Sequence, residues 1–316
     1  MYIGFDIGGT NIKYGILNSL GEIIEKGMTP TNHDRELLLS ELTTITKEYA
    51  QNYEINGIGI SVPGIIQKDG FMLTGGAIKS LYGINLKDEM ELRTGLPTAI
   101  ENDANAAAIA EKWIGNAIEI DNYLCVVLGT GMGGGIVING QIYRGAHGMA
   151  GEFGYMMTHK VDVSRNIEES SLNWTGAVVG GLYRQYYHAL LAKDPSAQPI
   201  TDASEIMLRA NSGELEAVNV MSQYYQDVAV GIINLIGAFD PEVILIGGGI
   251  SANKEFMKNL TLTINDLEEK HESINYLKGK TIAPVIPAKL RNDAGLLGAV
   301  YQIKQKLLEK ISLPNG

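Results

Sequence analysis

Residues 2–24, "YIGFDIGGTNIKYGILNSLGEII", decide the fold, because a similar arrangement returns at residues 123–143 as "YLCVVLGTGMGGGIVINGQIY". Each segment contains an apolar strand, a glycine-rich turn, a second apolar strand, a turn with asparagine and glycine, and a third strand. Repetition of one such unit indicates a duplicated core. Strands and helices alternate after each segment, which predicts the α/β class.

The spacing of apolar residues extends this duplication into the rest of the chain. It predicts a helix over roughly 33–53, and a buried strand in "INGIGISVPG" follows. The second half has a long helix from about Glu214 to Phe239 and then the strand "VILIGGG". We expect an N-terminal α/β domain over residues 1–117 and a C-terminal α/β domain over 118–296, with a last helix, about 297–316, able to pack on the first.

Composition narrows the class of protein and its partners. The 316 residues carry a net charge of −11, and this disfavours nucleic acid as a partner, because a phosphate backbone requires a basic surface. A single cysteine, Cys125, excludes an internal disulfide and a zinc site built on several thiolates. The N-terminus shows no secretory signal, and the most apolar stretch is too short for the roughly 20 residues that span a bilayer. We expect a cytoplasmic protein with no membrane partner.

One glycine motif resembles a dinucleotide site. Gly129, Gly131 and Gly134 match the pattern GxGxxG after a strand. That fingerprint requires a helix next, whereas "GGIVINGQIY" predicts further strands, so NAD binding is disfavoured. Neither the phosphate loop of P-loop enzymes nor the protein-kinase motif set is present.

The two glycine turns suit a different ligand. Glycine lets the backbone approach an anion closely and direct successive N–H groups at it. Two such turns, "DIGGTN" and "GTGMGG", could therefore hold one phosphate chain, although tight hairpin turns are the simpler interpretation. Asp6 would then hold Mg²⁺ through water, because Mg²⁺ gives up its hydration shell reluctantly and needs few carboxylates.

The stretch "AIENDANAAAIAE", residues 99–111, places acids and asparagines before an alanine-rich helix. Small polar residues at a helix start usually cap it, so Asn102 and Asp103 are candidate caps. Asp103 could instead contact a substrate. The stretch alone leaves both interpretations open.

Six motifs occur in an order that resembles ROK-family sugar kinases: "DIGGTN", "GISVPG", "ENDANAAAIAE", "LGTGMGGGI", "GMAGEFGY" and "VILIGGGIS". The resemblance covers nearly the whole chain. It implies the two-domain actin-like ATPase fold, related to ribonuclease H, with ATP and sugar in the cleft between the domains. It also implies transfer of the γ-phosphoryl group of ATP to a sugar hydroxyl, usually on C6, with Mg²⁺.

The resemblance also assigns residues. Asp103 matches the base that accepts the proton of the sugar hydroxyl, and Asn102, Glu152 and Gly64 match sugar-binding positions. The positions that match the nucleotide site are Asp6, Gly8, Gly9, Thr10, Lys13, Thr130, Gly131, Gly247, Gly248 and Gly249.

Two departures from the family pattern concern zinc and the sugar. Many members bind structural zinc through a histidine and a cysteine cluster, but Tyr155 replaces the histidine and no cysteine follows, so we expect no zinc. The sequence leaves open how residues 159–171 are ordered without zinc. It also leaves open whether Glu168 or Glu169 binds the sugar. We expect His159 at the surface. The loop "GGAIKSLYGINL", residues 75–86, lacks the family's Asn-Leu…Gly-Trp pattern and predicts a different or larger sugar.

Several functions remain as alternatives. The expected substrate is a hexose or a β-glucoside, since β-glucoside kinases form one branch of the family, with N-acetylmannosamine kinase and glucokinase as alternatives. Family repressors carry a DNA-binding domain ahead of the first strand, which the position of Asp6 near the start disfavours. A catalytically silent sugar-binding regulator and an assembly ATPase are weaker alternatives. We expect a homodimer.

Overall fold

The two similar segments form the starting strands of two sheets with the same topology. The strands are β1 (Tyr2–Ile7), β2 (Asn11–Leu17), β3 (Ile23–Pro30), β4 (Gly57–Val62), β5 (Phe71–Met72), β6 (Ile84–Asn85), β7 (Thr98–Asn102), β8 (Tyr123–Leu128), β9 (Met132–Ile138), β10 (Gln141–Ile142), β11 (Val243–Gly247) and β12 (Val285–Pro287). The first sheet has the order β3-β2-β1-β4-β7 and the second β10-β9-β8-β11-β12, while β5 and β6 form a small separate ribbon.

Strand directions repeat as well as strand order. In the first sheet β1 pairs antiparallel with β2 and parallel with β4, which is parallel to β7. In the second sheet β9 and β10 are antiparallel, and β11 is parallel to both β8 and β12. The predicted duplication of an α/β core is therefore confirmed.

The helices connect these strands. They are α1 (Arg35–Ala50), α2 (Leu86–Thr94), α3 (Asp103–Ile114), α4 (Leu172–Thr175), α5 (Arg184–Lys193), α6 (Ala203–Asn211), α7 (Leu215–Phe239), α8 (Lys254–Lys270), α9 (Glu272–Leu277) and α10 (Ala294–Ser312). The helices predicted near 33–53 and 214–239 are confirmed as α1 and α7. Within the described part of the chain, no helix is both long and apolar enough to cross a membrane.

This computed structural model describes residues 1–312, with side chains as far as residue 310. The chain divides into two compact units. Unit 1 contains Met1–Asp121, Gly135–Gly151 and Asn292–Gly316, and unit 2 contains Asn122–Gly134 and Glu152–Arg291. The expected boundaries, 1–117 and 118–296, assigned residues 135–151 to the second domain, whereas here this segment belongs to unit 1.

In unit 1 the sheet packs directly against α10. A Cβ atom at Gly4 would lie 2.7 Å from Leu296, and one at Gly59 would lie 2.2 Å from the carbonyl oxygen of Ala299. A side chain at Gly59 would therefore displace the helix backbone, whereas one at Gly4 would require the side chains of α10 to shift. The opposite side of the core includes buried leucines of α1, at Leu38, Leu39 and Leu42.

In unit 2 the core is built around α7. This helix of 25 residues is largely apolar and ends at Phe239. The capping residue Asp240 adopts a left-handed conformation (φ 45°) directly before Pro241. Cys125 is buried in β8, as its apolar surroundings predict. The glycine turn after β8 leads into β9 and not into a helix, so the structural context of a dinucleotide fingerprint is absent there.

Candidate active site

The junction between β7 and α3 carries the "END" residues. Asn102 ends the strand, and its Oδ1 accepts hydrogen bonds from the backbone N–H groups of Ala104 (2.9 Å) and Asn105 (3.1 Å). Its Nδ2 donates to the carbonyl oxygen of Gly64 at 3.0 Å. Asn102 is thus the N-cap of α3. The interpretation of Asp103 as the cap is wrong, because Asp103 is already the first residue of the helix.

Asp103 therefore has a carboxylate that the helix does not need as a cap. One oxygen accepts from the N–H of Ala104 at 2.9 Å, a group that Asn102 already serves. The residue is exposed, yet surrounding protein atoms limit the hydration of the carboxylate. This desolvation, and secondly the negative charge of Asp6, raise the pKa of Asp103 from 3.8 to about 6. Such a group is ionised at neutral pH and is a stronger base than an ordinary aspartate.

Asp6 lies near the end of β1, where three elements of unit 1 meet. Ser61 on β4 donates its hydroxyl to Oδ1 at 2.9 Å, and the Lys13 ammonium lies 3.5 Å from Oδ2. Lys13 also donates to the carbonyl oxygen of Asn292 at 3.0 Å. A Cβ at Gly295, in the first turn of α10, would lie 2.4 Å from Oδ1, so glycine permits the helix to begin beside the carboxylate.

The first glycine turn closes the hairpin between β1 and β2. Gly8 donates its N–H to the carbonyl oxygen of Asn11 at 2.9 Å, and Thr31 holds both ends of the turn. The Thr31 hydroxyl donates to Gly8 (2.6 Å), and the Thr31 N–H donates to Thr10 (2.9 Å). Gly9 lies against the loop of residues 75–86, because a Cβ there would be 3.2 Å from that of Ala77. The turn is thus a fixed hairpin in contact with the predicted sugar loop.

The loop of residues 75–86, the sugar loop, is itself held in place. Arg35, at the start of α1, donates to the carbonyl oxygens of Ser80 (2.7 Å) and Tyr82 (3.2 Å). The Tyr82 hydroxyl donates to the carbonyl of Gly76 at 2.9 Å. Gly64 packs on its leading end with a positive φ of 113°, where a Cβ would be 2.2 Å from the carbonyl oxygen of Thr74. Gly64 therefore serves backbone geometry that only glycine tolerates.

In unit 2 the second glycine turn is fixed by the segment that follows α4. The carbonyl of Gly129 accepts from the N–H groups of Val178 and Val179, at 2.9 and 3.2 Å, and that of Thr130 accepts from Gly180 at 3.2 Å. The turn and this segment, with α6 and the start of the helical turn at Gly249–Ala252, line a cavity of about 340 Å³. Its lining includes Thr130, Val179, Tyr183, Asp202, Gly249 and Asn253.

Asn173 joins this turn to the segment that carries Glu152. Its Oδ1 accepts from the N–H of Met132 at 2.8 Å. A Cβ at Gly131 would lie 3.2 Å from the same oxygen, and one at Gly154 would lie 2.1 Å from it. The side chain thus contacts backbone on both sides. Sequence reasoning missed Asn173, because its partners lie 19 to 42 positions earlier and no spacing rule links them.

The remaining nucleotide positions follow β11. Gly248 has a φ of 88°, and a Cβ there would lie only 2.0 Å from the carbonyl oxygen of Leu128, so the turn is pressed against the end of β8. Gly249 lines the 340 Å³ cavity together with Thr130. The predicted positions thus fall in both units, those before residue 104 in unit 1 and those from Thr130 onward in unit 2.

The segment that replaces the zinc cluster is ordered by protein contacts. Met157 and Ser171 form an isolated antiparallel bridge, and the His159 ring lies 2.7 Å from the buried carboxylate of Asp227 on α7. Glu169 pairs with Arg165 at 2.9 Å. Among residues 1–310, no group of three or more histidine, cysteine, aspartate or glutamate side chains is placed to hold a metal ion.

Comparison with known proteins identifies the family. The ROK family model matches residues 2–306. The β-glucoside kinase of Listeria monocytogenes is 38% identical over 306 residues, covering 96% of this chain and 97% of that protein. The solved structures that are similar to the chain include two whose descriptions name a sugar. A Listeria monocytogenes protein described as a candidate N-acetylmannosamine kinase has a TM-score of 0.83 and 35% identity, covering 97% of this chain and 99% of its own.

The second structure is a ROK-family glucokinase from Streptomyces griseus in complex with glucose and AMPPNP. It has a TM-score of 0.78 and 27% identity and covers 96% of this chain and 99% of its own. These similarities confirm the predicted actin-like, two-domain fold, which ROK sugar kinases share. With a family model that spans almost the whole sequence, the chain belongs to the ROK family.

Proposed function

We propose that this protein is an ATP-dependent sugar kinase in which Asp103 is the catalytic base. The observation that carries the proposal is the position of Asp103. It is an exposed carboxylate with a raised pKa at the start of α3, and the capping that would otherwise explain it is done by Asn102. The similarity to a β-glucoside kinase and to glucokinase supports the reaction class.

The reaction follows from ordinary phosphoryl-transfer chemistry. The sugar hydroxyl oxygen attacks the γ-phosphorus, the bond to the β,γ-bridging oxygen breaks, and ADP leaves. The hydroxyl proton passes to the Asp103 carboxylate. Since charge stabilisation and positioning supply most of the catalysis, a base with a pKa near 6 is sufficient. We assign Asn102, Gly64 and Glu152 to the sugar.

The nucleotide is assigned to the two glycine turns and to the turn after β11. In unit 2 the cavity beside Thr130 and Gly249 is lined by apolar side chains such as Val179 together with polar ones such as Asn253, which suits a planar base with few hydrogen-bonding positions. In unit 1 the residues assigned to the nucleotide are those of the first turn and the strand after it, Gly8, Gly9, Thr10 and Lys13. Gly131, Gly247 and Gly248 complete the assignment.

Asp6 fits the demands of Mg²⁺. It is a single, partly exposed carboxylate, held by Ser61 and flanked by a lysine. Mg²⁺ is usually bound by one or two carboxylates, water and substrate phosphates, so a cage of several protein ligands is not needed. When bound, the ion would neutralise the negative charge of the phosphates. We propose no zinc site.

We further propose a β-glucoside as the sugar, transferred at its 6-hydroxyl. The Listeria β-glucoside kinase is 38% identical to the chain, and the sugar loop departs from the family pattern. Arg35 and Tyr82 hold this loop in a defined shape, so its altered residues would define a fixed pocket wall. Glucose and N-acetylmannosamine are the alternatives, because structures similar to this chain carry those names.

A panel of sugars tests this proposal. ADP release would be measured with β-glucosides that carry an aglycone or a second sugar, with glucose and with N-acetylmannosamine. The ratio of kcat/KM values then ranks the sugars, and mass spectrometry locates the new phosphate. Faster reaction with glucose or N-acetylmannosamine would replace the β-glucoside assignment. Failure with every sugar, beside an intact fold and ATP binding, would contradict the kinase itself and favour a silent sugar-binding regulator.

The proposal also includes a cytoplasmic homodimer without nucleic acid or membrane partners. A cytoplasmic location follows from the need for ATP, and the net charge of −11 opposes binding to nucleic acid. Light scattering of the purified protein at several concentrations measures the mass directly. A monomer at all concentrations would remove the dimer from the proposal.

A further inference from the structure

The residue directly before Asn102 and Asp103 has a buried carboxylate that accepts four hydrogen bonds. Glu101 is 3% exposed, at the end of β7. Its Oε1 accepts from the backbone N–H of Asn102 and from the Nδ2 of Asn105, both at 3.1 Å. Its Oε2 accepts from the Nε and Nη2 of Arg144, at 3.1 and 2.5 Å. Each oxygen of one carboxylate therefore serves a different part of unit 1.

Arg144 is held from its backbone as well as from its guanidinium. It follows β10, and its carbonyl oxygen accepts from the N–H of Ala150 at 3.3 Å, which closes a turn. Gly148 within this turn has a φ of 82°, and a Cβ there would lie 2.4 Å from the carbonyl oxygen of Ile66. The turn thus packs against the backbone at Ile66, within the same unit. A side chain anchored in this way loses less entropy on pairing than a surface arginine does.

Two of the partners of Glu101 flank Asp103 in the sequence. Asn102 donates its backbone N–H to the Glu101 carboxylate, and it also caps α3. Asn105, in the first turn of the helix, donates its side-chain Nδ2 to the same oxygen. Both neighbours of the base along the first helical turn are therefore tied to one carboxylate. The orientation of that carboxylate depends on the two N–H groups of Arg144.

Loss of Arg144 would leave the Glu101 charge buried without its cation. Removing one partner of a buried ion pair is costly, because the remaining charge lacks solvation. Lys306 is the other cation near this pair, but burial lowers its pKa and no ion pair joins it to Glu101 among the described side chains. A carboxylate in this position would turn toward water and pull on Asn102 and Asn105.

We infer that Arg144 is a positioning residue for phosphoryl transfer. It fixes Glu101, and Glu101 fixes the first turn of α3 from which the Asp103 carboxylate projects. The inference rests on the proposed function, because it assumes that Asp103 is the base. A displacement of about 1 Å at a reacting group can lower a rate about 100-fold, and Arg144→Ala should lower kcat by roughly that factor. The KM for ATP should stay within about twofold, because the interaction is not with the nucleotide.

The test compares Arg144→Ala and Arg144→Lys with wild type and with Arg93→Ala. Arg93 is a suitable control, because it pairs with Glu36 and Glu89 on the surface of the same unit. Steady-state kinetics would be measured well below the melting temperature, with and without guanidinium chloride and with sodium chloride as the salt control. Amide hydrogen exchange over residues 101–106 gives a second measurement that needs no turnover.

Five results are expected together. Arg144→Ala loses kcat, recovers part of it in guanidinium but not in sodium chloride, and exchanges faster over residues 101–106. Arg144→Lys keeps the positive charge but cannot donate two parallel hydrogen bonds, so its kcat should fall less than that of Arg144→Ala. If Arg144→Ala does not fold, the kcat of Arg144→Lys is the deciding measurement. Arg93→Ala should behave as wild type.

Other results would overturn the inference. These are an unchanged kcat in a folded Arg144 variant, a fall that guanidinium does not reverse, or an equal fall in Arg93→Ala. If wild type phosphorylates no sugar, the proposed function fails instead. Hydrogen exchange then still shows whether Arg144 orders the start of α3.

Discussion

Replacing Asp103 with asparagine should greatly lower turnover and at the same time stabilise the fold. The variant keeps an oxygen that can accept from the N–H of Ala104, and Asn102 continues to cap α3. It cannot accept a proton, and loss of a general base typically lowers the rate by about 10²–10⁴-fold. ATP binding should persist, because Asp103 is not among the residues assigned to the nucleotide.

The gain in stability follows from the raised pKa of Asp103. A rise from 3.8 to about 6 corresponds to about 3 kcal/mol at roughly 1.4 kcal/mol per pH unit. Because Asp103 is exposed, solvent screening reduces this to about 1 kcal/mol. A pKa raised in the folded state means that ionisation opposes folding. The cost is absent where the residue is protonated in both states, grows as the pH rises from about 4 to about 6, and stays constant above.

The assay is a series of melting curves of wild type and Asp103→Asn from about pH 4 to about pH 8. We expect the variant to melt about 2–4 °C higher at neutral pH, with the difference vanishing at the acid end. Asp162→Asn is the matched control, because its Ser164 hydrogen bonds lower the pKa of Asp162 and its loss should not stabilise. Near-normal turnover in Asp103→Asn would refute its role as base. Equal melting temperatures at every pH would refute the electrostatic reasoning.

Three further predictions concern pH, the phosphate turn and metals. In wild type, kcat/KM should fall below about pH 6 and reach about one-tenth of its plateau near pH 5, as Asp103 is protonated; a flat profile there would contradict this. Gly131→Val should raise the KM for ATP roughly tenfold, because its side chain would displace Asn173. Gly129→Ala is the control. Its Cβ would meet nothing closer than 3.9 Å, so the KM for ATP should change little. Activity should stop in a chelator and return when Mg²⁺ is added, while the melting temperature stays the same. We also expect no bound zinc, and elemental analysis that finds one tightly bound zinc per chain would contradict this.

Much of the fold could be predicted from the sequence, because local patterns of residues determine it. The two similar segments predict two sheets, and the structure gives them the same strand order. The rejection of a dinucleotide fingerprint also rested on local pattern, since β9 continues the chain as a strand. The return of residues 135–151 to unit 1 was not accessible. It depends on contacts such as that of Gly148 with Ile66, which no periodicity encodes.

The residues of the candidate site could likewise be predicted only where a local pattern marks them. Sequence alone could not separate Asn102 from Asp103 as the cap, because both residue types cap helices equally well. It also missed Ser61, the one polar residue facing Asp6 from a fully buried strand, and Arg144, whose partner lies 43 positions earlier. A buried serine in an otherwise apolar strand was the available signal for the first. Nothing in the sequence signals the second.

The seating of α10 on Gly4 and Gly59 has a consequence for how the protein is made. The sheet that begins the chain is covered by the helix that ends the described part of it, so β1 and β4 cannot finish packing while α10 is still unsynthesised. Contacts this distant in sequence close late, because the loss of chain freedom precedes the gain from packing. Unit 2 is translated before α10, and its own elements are complete by Arg291. During translation the nascent chain therefore carries an uncovered apolar sheet at its leading end, and this is the stage at which a chaperone would protect it from aggregation.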